Sequence, residues 1–92
     1  MIKSFRCRQT QELFETATSR RFANLLDAAY RKLVMLHAAT HLSDLRLPPG
    51  NKLEALTKDR SGQHSIRINR RWRICFRWVD GHAYEVEIVD YH

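Results

Sequence analysis

Even-numbered positions near the end of the chain are apolar, and this parity constrains the fold more than any other feature. Trp72, Ile74, Phe76 and Trp78 form one run, and Tyr84, Val86 and Ile88 a second. Side chains alternate along a strand, so each run lines one face of a sheet. For the two runs to share a face in a hairpin, position 78 pairs with 84, 76 with 86 and 74 with 88. That register requires an odd loop, read as the three residues Asp80-Gly81-His82 with a positive φ at the glycine or a neighbour. A two-residue Asp-Gly turn would set Phe76 opposite Glu85, and a one-residue slip turns every side chain over.

The odd face then carries Arg73, Arg77, Glu85, Val89 and Tyr91. Arg77 opposite Glu85 reads as a cross-strand ion pair. Arg73 lies opposite Val89, with Tyr91 one step away on the diagonal. The preceding segment, Ser65-Ile66-Arg67-Ile68, also alternates. Pairing Ile68 with Trp72 and Ile66 with Ile74 across Asn69-Arg70-Arg71 continues the apolar face and sets Arg67 opposite Arg73. Like charges directly opposite are destabilising. The pair therefore points to an anion held on an open sheet face, or to two guanidinium groups directed at water.

The 92 residues read as one domain, 1–92, with room for a single core. No apolar run approaches the roughly 18 residues of a membrane span. The start, Met1-Ile2-Lys3-Ser4-Phe5-Arg6, lacks the apolar region of a signal peptide, so a cytoplasmic location is expected. Cys7 and Cys75 lack metal-ligand spacing and are read as reduced, structural thiols. Arg6 and Arg8 flank Cys7, but no local motif marks it as a nucleophile. The net charge of +6 favours a polyanion, an acidic protein, or both as partners.

Earlier in the chain, Ile2–Phe5 alternates as a short strand. Thr10 is expected to cap a short helix with Leu13, Phe14 and Ala17 inward, and Ser19 to cap the next. Phe22, Leu25, Leu26, Ala29, Leu33 and Leu36 trace an amphipathic helix over roughly 20–39. His37 and His41 stand at i, i+4, but nothing completes a metal set, and a helix end explains them. Asp44 to Asn51, with Pro-Pro-Gly at its centre, interrupts regular structure. A short apolar piece, 52–56, and a polar, basic connection, 57–64, lead into the sheet. The expected fold is α+β: two N-terminal helices packed on one face of a small antiparallel sheet.

What remains is a basic sheet face, a basic loop and a strand running into Asp90-Tyr91-His92. This set suits RNA cleavage in which the 2′-OH attacks its own phosphate. A base removes the hydroxyl proton, an acid protonates the departing 5′ oxygen, and cations steady the developing charge. An imidazole ordinarily titrates near neutrality, so His92 can serve as base or acid; Tyr91 can donate or relay a proton, and Arg73 and Lys58 can hold the phosphate. The parity argument puts Tyr91 on the Arg73 face. His92 has even parity and must turn over the sheet edge to join them.

Three stretches carry a resemblance. Leu47-Pro48-Pro49-Gly50-Asn51-Lys52-Leu53-Glu54-Ala55-Leu56 is the first. Asp59-Arg60-x-Gly62-Gln63-x-Ser65-Ile66-Arg67-Ile68-Asn69 is the second. Trp72-Arg73-Ile74-Cys75-Phe76-Arg77-Trp78 with Val86-Glu87-Ile88-Val89-Asp90-Tyr91-His92 is the third. The chain closely resembles the HigB-like killer toxins of the RelE superfamily. The resemblance implies a RelE-like fold and a toxin that cleaves mRNA in the ribosomal decoding site. It implies a HigA-type helix-turn-helix antitoxin as partner, contact with operator DNA only through that complex, and no membrane, metal or cofactor. Carried over, the catalytic set is Lys58, Arg73, Asp90, Tyr91 and His92, and Arg60, Arg67, Arg70 and Arg71 form an RNA-binding rim. Two departures stand out. Relatives often place the lysine directly after the leucine, followed by Gly, where this chain has Leu56-Thr57-Lys58-Asp59-Arg60. A histidine of some relatives falls at Glu54. Two other readings compete: a ParE-like gyrase poison, in which Arg73 and His92 would be dispensable, and a non-catalytic nucleic-acid-binding domain.

Overall fold

A computed structural model describes residues 1–91; His92 lies outside the described residues. Helix α1 (Arg8–Thr16) and helix α2 (Leu26–Ala38) precede four strands: β1 (Glu54–Ala55), β2 (His64–Arg67), β3 (Trp72–Val79) and β4 (His82–Asp90). The strands form one antiparallel sheet in the order β1-β2-β3-β4. Outside β4, Ile2 and Phe5 add parallel bridges to Ala83 and Val86, the remnant of the short strand expected at the N-terminus. The apolar faces of both helices and the even face of the sheet share one core, with Leu13, Phe22, Leu33, Leu36, Ile66, Ile74 and Phe76 fully buried.

The β3–β4 register holds the expected pairing at one end and departs from it at the other. Ile74 pairs with Ile88, as parity requires, but Arg77 pairs with Tyr84 and Trp78 with Ala83. The turn is the two-residue Asp80-Gly81, with φ of 51° and 82°, the doubly positive geometry that matches strand twist. A β-bulge between these two registers absorbs the slip. Glu85, at φ 53°, and Val86 together oppose Phe76. The turn and the apolar parity are thus both satisfied, at the expense of one residue in a left-handed conformation. The consequence is local. Tyr84, expected in the core, is only half-buried, and Ala83 takes the buried position beside Trp78. The Ser4 hydroxyl accepts the Glu85 backbone N–H at 2.9 Å, so the bulge is tied to the N-terminal segment.

The helices also differ from expectation. Thr10 is not a cap. It is buried within α1, and its Oγ1 accepts the Ile88 backbone N–H at 3.0 Å, linking helix to sheet. The second helix begins later than position 20. A 3₁₀ turn over Ala23–Leu25 precedes it, and Ser19 Oγ accepts the Phe22 N–H at 3.0 Å ahead of that turn. His37 Nδ1 accepts the Ile2 N–H at 3.1 Å, which occupies it structurally. Between α2 and β1, buried Asn51 organises the Pro-Pro-Gly segment. Its Nδ2 donates to the Leu45 and Leu47 carbonyls at 3.1 and 3.2 Å, and its Oδ1 accepts from Lys32 at 2.5 Å.

Candidate functional site

Arg73 is the centre of the odd face, and the register sets it opposite Arg67 and Val89. It does not stand on an open face: it is 8% exposed, with the Lys52 carbonyl, the Glu54 carboxylate and the Tyr91 ring gathered around its guanidinium. Nε donates to Ser65 Oγ at 2.7 Å, and one terminal nitrogen donates to the Lys52 and Ser65 carbonyls at 2.5 and 3.3 Å. The Glu54 carboxylate lies 3.9 Å from Nε. The opposition to Arg67 is relieved locally, since Arg67 turns its own Nε to the Asn69 carbonyl at 3.0 Å. Tyr91 is exposed and lies with its ring 5.5 Å from the Arg73 guanidinium, within the range of a cation–π contact. Its backbone N–H donates to the Arg71 carbonyl at 2.6 Å, which fixes the residue to the end of the sheet.

Beside this pair lies an open cavity of about 520 Å³, lined by residues 54–60 and by Tyr91. Lys58 stands on its rim in a short 3₁₀ turn, Lys58–Arg60, at φ 55°, and its ammonium has no partner among the described residues. The one-position shift of the lysine therefore leaves it facing the same cavity as Tyr91. Arg60 lines the cavity too, but it is engaged. It donates to Glu87 at 2.8 Å and to Gln63 at 3.2 Å. The Glu87 carboxylate holds its guanidinium above the ordinary arginine range, against the opposing effect of burial. Cys75 is buried under the same face; burial pushes its thiol up, which fits an inert structural cysteine.

The remaining expected residues do not gather here. Asp90 pairs with Trp72, so it takes the even, helix-facing side of the strand, away from Arg73. Its carboxylate forms a salt bridge with Arg71 at 2.6 Å, and that hydrogen bond raises the Arg71 guanidinium above its usual value. Arg71 also lies over Trp72 at 5.5 Å. Arg70 is exposed at the β2–β3 turn, without a partner among the described residues. Arg73, Tyr91, Lys58 and Arg60 are thus brought together, while Asp90 and Arg71 form a separate pair at the sheet end. The place of His92 lies outside the described residues. Sequence reasoning passed over Glu54 as a departure from relatives and Ser65 as part of an alternating strand. The signal that could have found both is the register itself, which aligns Glu54 with Ser65 and so with the Arg73 face.

Two helices packed on one face of a four-stranded antiparallel sheet are also the fold of solved toxin structures. A chain of the YoeB-YefM complex from Staphylococcus aureus superposes with a TM-score of 0.61 at 18% identity, covering 100% of this chain and 98% of that one. YafQ from E. coli strain BL21(DE3) gives 0.56 at 14% identity, covering 98% and 93%. At these identities the likeness is one of fold. The sequence carries the assignment further. The family described as the RelE-like toxin of type II toxin-antitoxin system HigB matches residues 3–92. Toxin HigB-1 of Vibrio cholerae serotype O1 is 39% identical over 85 residues, covering 90% of each chain. Endoribonuclease HigB of Proteus vulgaris is 37% identical over 93 residues and covers all of both. The chain belongs to the HigB-like toxin family. No helix of the described residues is long and apolar enough to cross a membrane.

Proposed function

We propose that this toxin is a ribosome-dependent endoribonuclease that cuts mRNA by attack of a 2′-OH on the adjacent phosphate. The observation that carries the reading is the meeting of Tyr91 and the unpartnered Lys58 on one open cavity, with the buried Arg73 guanidinium set against the Tyr91 ring. In the reaction the O2′–P bond forms, the P–O5′ bond breaks, and the O5′ oxygen takes a proton. Lys58 meets the scissile phosphate, and Arg73 supplies fixed positive charge beneath it. Such preorganised charge acts most strongly where water is excluded. Tyr91 and His92 supply the proton chemistry. Arg60 and Arg67 frame the site, and Arg70 extends the basic rim for the RNA backbone. Asp90 and Arg71 act indirectly by holding the strand end on which Tyr91 stands. The partner is a HigA-type helix-turn-helix antitoxin, and operator DNA is met only through that complex. The family membership and the relative named Endoribonuclease HigB support this reading.

Induced expression followed by mapping of mRNA 5′ ends tests it. Translated messages are expected to acquire internal ends, and these are expected to vanish when initiation is blocked. Growth arrest with intact mRNA and trapped DNA breaks would instead identify a gyrase poison. Binding to ribosomes without new ends would identify a non-catalytic nucleic-acid-binding domain.

A further inference from the structure

A second open cavity, of about 720 Å³, lies across strand β1 from the cavity of Lys58 and Tyr91. The β1 register defines the two sides. Glu54 pairs with Ser65 on the Arg73 face, whereas Ala55 pairs with His64, and His64 with the core residue Phe76. Ala55 lines both cavities, so the edge of β1 is what separates them. Lys52 also ties them together: it lines the second cavity, and its carbonyl accepts the Arg73 guanidinium at 2.5 Å.

The walls of this cavity divide by chemistry. Leu42, Pro49 and Leu53 are apolar, and the His64 ring is stacked on Phe76, with centroids 6.4 Å apart and planes at 26°. Arg46 and Lys52 are exposed, and neither side chain has a partner among the described residues. No Asp or Glu among the described residues lines it. His64 Nδ1 is buried and has no hydrogen-bond partner among the described residues. A neutral imidazole carries one N–H and one lone pair, and a buried N–H is the harder of the two to leave unpaired. The proton therefore stands on Nε2, the nitrogen left for a ligand.

We propose that this cavity seats a nucleotide of the message beside the cut, with the RNA strand crossing the β1 edge at Ala55. The identity of the strand rests on the endoribonuclease reading above. The base lies against the apolar walls and the His64 ring and accepts from Nε2, while Arg46 and Lys52 meet its phosphate. An acidic peptide would satisfy the cations but leave the stacked imidazole without a flat partner. Because Lys52 also holds Arg73, a nucleotide seated here bears on the neighbouring cavity as well.

The test has a binding arm and a cleavage arm. In the first, NMR signals of the purified toxin are followed as a single-stranded RNA trinucleotide is added, with an oligo-glutamate peptide as the second probe. The RNA is expected to move the Leu42, Leu53 and His64 signals together with those of the Tyr91 ring, at one affinity. Arg46→Ala is expected to weaken that affinity and to flatten its slope against log salt by about 0.7. Arg46 is exposed and unpaired, so this variant keeps the fold. In the second arm, each base is placed in turn on either side of the cut in messages on programmed ribosomes. Wild type is expected to show a base preference of about 5–150-fold at one flanking position, and His64→Leu to lose it. RNA that moves only the Tyr91 signals overturns the assignment, as does Arg46→Ala binding RNA like wild type. A peptide that moves the cavity signals where RNA does not overturns it in favour of a protein partner. A folded His64→Leu that keeps the wild-type base preference overturns it too. Wild type that binds the trinucleotide in this way and leaves messages uncut would strike the endoribonuclease reading and keep the nucleotide site.

Discussion

Arg73 shows what parity can and cannot reveal about a residue. Its face, its opposition to Arg67 and its diagonal contact with Tyr91 follow from alternation alone, and the register agrees. Its burial does not, because that depends on Lys52 and Glu54 returning across the sheet through a loop without hydrophobic periodicity. The expected consequence of Arg73→Ala therefore has two parts. Loss of a preorganised cation costs roughly 10²–10³ in cleavage rate. Loss of the donor to the buried Ser65 hydroxyl costs a further 1–3 kcal/mol or so in stability. Paired melting curves and single-turnover rates check both. An unchanged melting temperature would mean that the arginine is as open as sequence alone proposes. Tyr91→Phe separates ring from hydroxyl. The aromatic face over Arg73 is kept, so the melting temperature is expected to stay at its wild-type value. If the phenol handles a proton, the rate falls within the range of about 10²–10⁴-fold typical of acid–base groups. Wild-type cleavage by Tyr91→Phe would confine the tyrosine to positioning and leave the acid to His92.

At the scale of elements, two signals near the β3–β4 turn conflicted. Asp-Gly demands a two-residue turn, and the even apolar runs demand an odd loop. A reader of sequence must choose one, whereas the chain inserts Glu85 as a bulge and keeps both. Bulges leave little trace in a single sequence, because the extra residue needs only to tolerate a positive φ. Thr10 departs from its expected capping role for a related reason. A threonine near a helix start is a capping signal by frequency, but its role here is to accept the Ile88 N–H from a strand 78 residues away in sequence. This contact joins α1 to the half of β4 that leads to Tyr91. Thr10→Val keeps the shape and removes the acceptor, leaving a buried backbone donor unpaired. The expected loss is about 1–3 kcal/mol, with faster amide exchange at Ile88 than in wild type. A variant with unchanged stability and unchanged exchange would show that the hydroxyl does not hold the helix to the sheet.

For the whole molecule, sixteen Lys and Arg oppose ten Asp and Glu, and the arrangement of those charges matters more than the sum. Arg60, Arg71 and Arg77 each have a carboxylate within 2.8 Å, so their fields are largely cancelled at a distance. Lys58 and Arg70 have no partner among the described residues and stand at exposed turns. On the proposed reading, an RNA backbone meets this face chiefly through the unpaired cations Lys58 and Arg70, at the loop and at the β2–β3 turn, and less through the paired arginines of the basic rim. Each cation that neutralises a phosphate releases condensed counterions, at about 0.7 per contact on a single strand. If the rim works in this way, a plot of log affinity for single-stranded RNA against log salt is linear and falling. Lys58→Ala and Arg70→Ala are each expected to flatten its slope by roughly 0.7 to 1. Arg71→Ala removes a charge that Asp90 already balances, and its slope is expected to stay close to wild type. Exposed pairs of this kind contribute only about 0–1 kcal/mol, so all three proteins should remain folded at the salt concentrations used. An Arg71→Ala slope as shallow as that of Lys58→Ala would mean that Arg71 leaves Asp90 to meet the RNA, and that the ion pair at the strand end opens on binding.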